Sequence, residues 1–288
     1  MINPVISGML AQYSVSGTEG KINVLRDIFQ RIALLGLWRA KFFEHAAFYG
    51  GSALRILYNL DRFSEDIDFS LTEPNAGFNL YSYCHFIEEE LKFYGFSVTV
   101  NEKKKTRDSQ VKSAFLKAHT LEQLLVIEPG RNEPFPALLP VLKIKIEVDT
   151  DPPPFFQTEV KFLLNPIPFS VKVFNASSLF SGKMHALLFR GWKNRVKGRD
   201  WYDFIWFISQ TIPLNLNHLE MRMRQSGHWS VPEPLSQNNL NVLLRERINH
   251  LNISQAKEDV ARFLPSQDNI EIWSEAFFLD IAGRIKYI

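Results

Sequence analysis

The feature that most constrains this chain is a segment of 19 residues, 50–68, in which a glycine turn is followed by two aspartates. The apolar residues 46–49 predict a short buried strand that leads into Gly50-Gly51-Ser52 and then into a helix. Glycines let the backbone adopt positive φ and approach a phosphate, and a helix N-terminus presents unpaired amides to an anion. Ser52 adds a hydroxyl group at the cap position, and Arg55 lies one turn later. The turn is therefore a candidate phosphate-binding site, although glycines also occur in such turns for steric reasons alone.

The second half of the segment, Asp66-Ile67-Asp68-Phe69, predicts a strand with two carboxylates on one side. Alternate residues of a strand point to the same face, so Asp66 and Asp68 project together, away from the core. Like charges at this spacing repel each other and stabilise nothing, unless divalent cations bind between them. Magnesium prefers oxygen ligands and binds through few carboxylates together with substrate phosphates. A solvated strand end with two acidic residues is the alternative.

The two halves together resemble the AbiEii/AbiGii-type nucleotidyltransferase toxins, which belong to the polymerase-β-like nucleotidyltransferase superfamily. The resemblance implies an enzyme that moves a nucleotide from a nucleoside triphosphate (NTP) with the help of Mg²⁺ or Mn²⁺. The residues that carry it are Gly50-Gly51-Ser52-Ala53-Leu54-Arg55 and Arg62-Phe63-Ser64-Glu65-Asp66-Ile67-Asp68-Phe69. It implies that Asp66 and Asp68 are catalytic and bind metal, and that Gly50, Gly51, Ser52, Arg55 and Ser64 bind the nucleotide.

A third carboxylate is expected on a neighbouring strand. In residues 142–149, charged and apolar side chains alternate, which predicts a half-buried strand with all its charges on one face. Glu147 is the preferred metal ligand, because its Lys-Ile-Glu-Val context resembles the family pattern, and it would also help to activate the attacking hydroxyl. Asp149 is the alternative ligand. A strand that simply exposes an alternating Lys/Glu face fits the pattern as well.

A second motif follows as Lys183-x-x-Ala186-Leu187-x-x-Arg190 and Arg199-Asp200-Trp201-Tyr202-Asp203. Asp203 lies in a predicted helix that is apolar nearly all round, and a buried aspartate has to be paired or hydrogen-bonded. Lys183 is the expected partner. The resemblance implies that this lysine contacts the triphosphate during catalysis and that the aspartate holds it in place. A purely structural Lys–Asp pair between packed helices is the alternative.

The remaining pattern predicts an α/β (α+β) fold. The core domain, residues 1–174, is expected to be a nucleotidyltransferase-type mixed sheet with flanking helices, and residues 175–288 form a C-terminal helical domain. The resemblance covers residues 46–205. Strands are predicted over 46–49, 66–71, 96–100, 111–118, 140–148, 159–164 and 169–174. Helices are predicted over 18–45, 52–59, 80–94, 177–191, 199–210, 214–225, 237–250, 254–263 and 268–287.

Composition narrows the class of protein. Hydrophobic residues make up 45% of the 288, which is enough for a folded core. The single cysteine, Cys84, excludes an internal disulfide and a CxxC zinc site. The apolar runs are far shorter than the roughly 18 residues needed to cross a bilayer, and no signal peptide is visible. We expect a cytoplasmic protein without a membrane partner.

The expected acceptor is RNA. A net charge of +2 is too small to indicate a nucleic-acid binder, so local clusters carry the argument. Residues 190–199 contain five cations and no acid, and residues 103–107 contain four cations. Such runs are usually solvated loops, but in a nucleotidyltransferase they are reasonable sites for an RNA backbone. The resemblance suggests tRNA as the acceptor, for the toxin of a toxin–antitoxin or phage-defence pair with a cognate antitoxin protein.

Two other functions remain open. A small-molecule nucleotidyltransferase of the same fold, acting for example on an antibiotic such as an aminoglycoside, would need an acidic acceptor pocket, against which the cations of residues 190–199 count. A non-catalytic nucleotide-binding module could act through a partner protein, against which the intact Asp66 and Asp68 pair counts.

Overall fold

The computed structural model describes residues 3–15, 17–102, 120–128, 142–191, 196–266 and 268–288. Within these residues the chain forms ten α-helices and seven strands. It divides into two compact units. The sheet unit comprises Met1–Asn59, Phe63–Pro152 and Thr158–Val173, and the helical unit comprises Leu60–Arg62, Pro153–Gln157 and Phe174–Ile288. The longest segment of the helical unit thus begins beside the predicted boundary at 174/175, while two short segments from the predicted core domain group with the helices.

A seven-stranded mixed sheet forms the centre of the sheet unit, in the order β3-β4-β5-β2-β1-β7-β6. Strand β2 is antiparallel to β1 and parallel to β5, and β7 is parallel to β1. This mixed sheet with flanking helices confirms the predicted fold class. The strands are β1 (Ala46–Tyr49), β2 (Ile67–Leu71), β3 (Ser97–Glu102), β4 (Thr120–Glu128), β5 (Leu142–Asp149), β6 (Thr158–Leu163) and β7 (Phe169–Phe174).

Alternating side chains explain how β5 is placed. Its apolar residues are buried and its charged residues are exposed or half-exposed, as the period of two predicts. Strand β4, which pairs with both β3 and β5, was not predicted. The strand predicted over residues 111–118 lies outside the described residues.

Four helices belong to the sheet unit: α1 (Pro4–Leu10), α2 (Gly17–Arg39), α3 (Gly50–Leu57) and α4 (Tyr81–Phe93). The prediction that α2 continues to residue 45 was wrong. Lys41 adopts a left-handed conformation with φ of 59°, which ends the helical path, and a 3₁₀ turn at Phe42–Glu44 leads into β1. Phe42 and Phe43 are buried although they are not α-helical, so the apolar periodicity of α2 continues through this turn.

The helical unit contains six helices in its described residues, packed around aromatic side chains. The rings of Phe180 and Phe207 stack with centroids 4.5 Å apart, and Trp201 meets Phe278 edge to face at 4.9 Å. No helix in the described part of the chain is both long enough and apolar enough to cross a membrane. The helices are α5 (Ala176–Phe189), α6 (Gly198–Ser209), α7 (Leu216–Gln225), α8 (Gln237–Asn249), α9 (Ile253–Ala261) and α10 (Glu275–Ala282).

The last predicted helix, residues 268–287, was also wrong. The structure has a 3₁₀ turn at Asp268–Ile270 and then the separate, shorter helix α10. Ser274 starts α10, because its side chain accepts a hydrogen bond from the backbone amide of Phe277. Ser274 lies inside the predicted helix and was an N-cap signal for the start of a separate helix.

Candidate active site

The glycine turn and the second aspartate fit each other sterically. The antiparallel register of β1 and β2 places Tyr49 opposite Asp68, so the residue after Tyr49 lies beside the Asp68 side chain. Gly50 has φ of +84°, and a Cβ atom there would lie 2.3 Å from Asp68 Oδ2. Only glycine therefore allows both the turn and the position of the carboxylate at the start of α3.

Ser52 joins the two halves of the motif from the inside. Its side chain is fully buried, and its hydroxyl donates a short hydrogen bond to the backbone carbonyl of Asp66. Helix α3 is thereby fixed to the residue that enters β2. Gly51 is also buried in the first turn of α3. The predicted contacts of Gly50, Gly51 and Ser52 with a phosphate remain predictions.

The register between β2 and β5 distinguishes the two candidates for the third carboxylate. In the parallel pair, Glu147 lies opposite Asp68, whereas Asp149 lies opposite Ser70. The Asp149 carboxylate accepts a hydrogen bond from the backbone amide of Asp151 at 3.1 Å, which closes the turn after β5. The geometry therefore favours Glu147 as the carboxylate that accompanies the aspartate pair.

Lys145 lies among these carboxylates, a position that the sequence analysis did not recognise. Its Nζ atom is 2.8 Å from Glu147 Oε2 and 4.0 Å from Asp66 Oδ2. Burial alone would lower the pKa of Lys145, but the hydrogen bond and charge of Glu147 and the charges of Asp66 and Asp68 raise it above its ordinary value. The sequence contained the signal for this position, because residues two apart on a strand share a face and Lys145 precedes Glu147 by two.

The donor set suits a divalent cation. Carboxylate oxygens are the ligands that Mg²⁺ prefers. Among the described residues, no group of three or more Asp, Glu, His or Cys side chains already has the spacing that a metal ion requires. The ammonium of Lys145 lies beside Glu147 and Asp66, so these two carboxylates already accept a positive charge there.

Arg55, predicted to bind the nucleotide, is engaged inside the sheet unit. Its Nε atom is 3.3 Å from Asp27 Oδ1, and its guanidinium lies 4.4 Å from the centre of the Phe63 ring. Asp27 is buried in α2 and also binds Arg31 at 2.7 Å and the Tyr13 hydroxyl at 2.5 Å. Burial and the charge of Asp27 raise the pKa of Tyr13 to about 12. Arg55 therefore helps to hold Phe63, and its contact with a nucleotide remains a prediction.

Helix α2 also supports the residues that precede β2. Gln30 donates a hydrogen bond from Nε2 to the carbonyl of Ser64 at 3.1 Å, and Arg26 pairs with Glu65 at 3.6 Å. The sequence analysis missed this role, although buried polar residues at positions 23, 27 and 30 form a polar stripe on one face of an otherwise apolar helix. The predicted contact of Ser64 with a phosphate remains a prediction.

The second motif forms a buried ion cluster in the helical unit. Asp203 is fully buried, and Lys183 Nζ lies 2.7 Å from its Oδ2 atom, so the predicted pair is present. Arg62 binds the same carboxylate through two hydrogen bonds of 2.6 Å, from Nε to Oδ1 and from Nη2 to Oδ2. Arg62 is itself 1% exposed. Its partnership with Asp203 was not predicted, because 141 residues separate the two positions.

Charge pairing determines the ionisation of Asp203. Burial by itself would raise the pKa of Asp203, but the charges of Arg62 and Lys183, with their hydrogen bonds, outweigh burial and lower it. The carboxylate is therefore ionised, and two cations compensate one anion. A buried arginine that binds a carboxylate through two hydrogen bonds is held rigidly in place.

The basic residues predicted to bind RNA are only partly described. Lys193 and Arg195 lie outside the described residues, as do the four cations of residues 103–107. Arg190 lies 3.3 Å from Asp200, and the guanidinium of Arg199 lies 4.0 Å from the centre of the Phe263 ring. Burial and the charge of Arg190 lower the pKa of Lys197 to about 8.

Comparison with known proteins gives a family and a fold. A family model described as "Nucleotidyl transferase AbiEii toxin, Type IV TA system" matches residues 32–278. The crystal structure of JHP933 from Helicobacter pylori has a TM-score of 0.51 at 16% identity, with coverage of 94% of this chain and 90% of that chain. A second H. pylori structure, described as a candidate nucleotidyltransferase, has a TM-score of 0.48 at 16% identity and covers 88% of both chains. No curated protein sequence matches the chain significantly.

Proposed function

The chain belongs to the AbiEii nucleotidyl transferase toxin family, as its motifs predicted, and from this membership we propose that it transfers a nucleotide from an NTP to RNA at a metal site formed by Asp66, Asp68 and Glu147. Nucleotidyltransferase activity is the property of the family. Metal dependence, the acceptor and the biological role are the parts that we propose. The observation that carries the proposal is the register that sets Glu147 of β5 opposite Asp68 of β2, with Asp68 against the glycine turn and Lys145 beside both Glu147 and Asp66.

The reaction is a substitution at the α-phosphorus. A hydroxyl oxygen of the acceptor forms the new P–O bond, the bond between the α- and β-phosphates breaks, and pyrophosphate leaves with its charge. A divalent cation, when bound, stabilises this charge as a Lewis acid and orients the phosphates. Asp66 and Asp68 would hold the cation. Glu147 would complete the ligand set and help to draw the proton from the attacking hydroxyl.

The glycine turn supplies the phosphate contacts in this proposal. Backbone amides at Gly50 and Gly51 lie at the N-terminus of α3, where the helix dipole attracts an anion. Ser52 fixes the turn to Asp66, and Ser64 and Arg55 are assigned to the nucleotide on the resemblance alone. The family resemblance also assigns Lys183 to the triphosphate, and the Lys183–Asp203 pair within the helical unit supports the assignment of Asp203 as the residue that holds this lysine.

RNA is the proposed acceptor, with tRNA as the preferred class. The described cations Arg190, Lys197 and Arg199 support it, because they concentrate positive charge near the start of α6. The family description supports a toxin role, and with it a cognate antitoxin as a possible partner. The cytoplasm is the proposed site of action.

The test is direct transfer of a labelled nucleotide. We would incubate the protein with each α-labelled NTP in turn, Mg²⁺ and total RNA, and separate the products on a denaturing gel. Label in an RNA band of tRNA size, lost in EDTA, is the expected result. Label that enters no RNA with any NTP, while the protein still binds NTP, would replace the proposal by the non-catalytic binding module. Label that enters a small molecule instead would favour the antibiotic-type enzyme.

A further inference from the structure

The proposed metal site already contains a cation from its own chain. We propose that Lys145 is the resident counterion of this site: it holds the carboxylates together while no metal is bound, and a divalent cation displaces it. The inference rests on the proposed function, because it requires that Asp66, Asp68 and Glu147 bind a metal ion. It assigns to Lys145 a positioning role that controls how tightly the metal binds.

Strand geometry places Lys145 where it can do this. Residues 145 and 147 of β5 share one face, and the register sets Glu147 beside Asp68 on the neighbouring strand. Adjacent strands lie about 4.8 Å apart, so a lysine on one strand reaches carboxylates on both. The ammonium accordingly lies 2.8 Å from Glu147 and 4.0 Å from Asp66.

The site is open enough for the lysine to leave. The side chains of Lys145, Glu147 and Asp66 are 29%, 24% and 44% exposed. A lysine has a flexible four-carbon stem and a strongly hydrated head, so its ammonium can move into water without a large desolvation cost. Water also screens the pair, which keeps the interaction weak enough for a divalent cation to compete.

Removing Lys145 has two opposite consequences. Without the ammonium, Glu147 and Asp66 lose a neighbouring positive charge, so the metal-free protein loses stability. The metal ion no longer has to displace a competitor, so it binds more tightly. A lysine with only a structural role would lower stability without tightening metal binding, and a lysine that only binds the nucleotide would change neither quantity in the absence of NTP.

The experiment compares Lys145→Met with Lys143→Met in the full chain. Lys143 is exposed and lies two residues earlier on the same face of β5, so its substitution removes the same charge without emptying the carboxylate cluster. Mn²⁺ binding would be titrated calorimetrically without NTP, and melting temperatures measured in EDTA and in Mn²⁺. We expect the Mn²⁺ Kd of Lys145→Met to fall by about threefold to tenfold, the range set by the loss of a partly exposed ion pair.

The two variants should also differ in stability. Lys145→Met should melt at a lower temperature than wild type in EDTA and recover in saturating Mn²⁺, whereas Lys143→Met should follow wild type in both. Equal or weaker Mn²⁺ binding by Lys145→Met would overturn the inference.

Mn²⁺ binding by the wild-type protein and by Asp68→Asn distinguishes a failure of this inference from a failure of the proposed function. If wild type binds Mn²⁺ and Asp68→Asn does not, the metal site stands whatever Lys145→Met shows. If wild type, Lys145→Met and Asp68→Asn all bind Mn²⁺ alike, the metal assignment itself is wrong and the inference falls with it.

Discussion

Two lysine–carboxylate clusters in this protein share their chemistry but differ in how deeply they are buried. In the helical unit, Arg62 and Lys183 surround one fully buried carboxylate, Asp203. In the sheet unit, one half-exposed lysine, Lys145, faces three carboxylates. In the first cluster two cations share one fully buried carboxylate, and Lys183 is 16% exposed. The second cluster is half-exposed, so water reaches both its lysine and its carboxylates.

The difference teaches how burial decides whether the partners in an ion cluster are fixed or can exchange with solution. A buried carboxylate tolerates no uncompensated charge, so its partners are fixed and their loss is costly. An exposed cluster gains little from its own lysine, and its carboxylates can bind a cation from solution. The predictions below compare the two clusters by the free energy of unfolding, from the largest expected change to the smallest.

Asp203→Ala should produce the largest change, a loss of about 3–5 kcal/mol, because it removes the buried carboxylate that both Arg62 and Lys183 bind. Urea unfolding followed by tryptophan fluorescence is the measurement, since five of the six tryptophans lie at or after position 192. Asp280→Ala is the control: Asp280 pairs with Arg284 in the same unit, but 59% of its side chain is exposed. A loss for Asp203→Ala no greater than that for Asp280→Ala would contradict the structural role.

Acid should weaken the helical unit next. Burial lowers the pKa of His185 to about 2 and that of His218 to about 3, so both stay neutral in the folded protein. In the unfolded chain they are protonated below about pH 6.5, and stability falls by up to about 1.4 kcal/mol per pH unit for each histidine. The lowered pKa of Asp203 adds a further loss only as pH falls below about 4. Tryptophan-monitored urea unfolding at pH 7.5, 6.5 and 5.5 should show a decline that begins near 6.5, and a flat profile over this range would exclude it.

Lys183→Met should cost less than Asp203→Ala, about 1–2 kcal/mol, because Arg62 still binds both carboxylate oxygens. Arg62→Met should cost more than Lys183→Met, since Arg62 is the more deeply buried of the two cations. The same urea unfolding experiment measures both variants. The reverse order would show that Lys183 is the main support of Asp203 and would weaken its assignment to the triphosphate.

Asp68→Asn should change stability least, by no more than about 0.5 kcal/mol in either direction. The substitution keeps the shape that fits against Gly50 and removes one of three repelling charges. Melting temperature in EDTA is the measurement, with Asp66→Asn as a second variant. A large loss of stability in both variants would show that these aspartates are structural and that the contrast between the clusters is mistaken.

The sequence was sufficient where the determinants are local. The bounds of β1 and β7 were predicted to the residue, and the glycine turn between β1 and α3 follows from short-range geometry, whereas β2 begins at Ile67, one residue after its predicted start at Asp66. It was insufficient where partners are distant. Neither the Arg62–Asp203 pair nor the register that sets Glu147 beside Asp68 can be read from spacing, because both depend on how separate elements pack. Helix ends were missed where apolar periodicity continued through a 3₁₀ turn, as at Phe42–Glu44.

The rate of nucleotide transfer by Asp68→Asn tests the central claim most directly. It would be measured with labelled NTP, Mg²⁺ and RNA at equal folded fractions, beside Glu65→Gln, which removes the neighbouring carboxylate that pairs with Arg26. The account predicts that Asp68→Asn slows transfer on the order of a hundredfold or more, as when a group that stabilises transition-state charge is lost, while Glu65→Gln stays within a few-fold of wild type. Transfer by Asp68→Asn at the wild-type rate would contradict it.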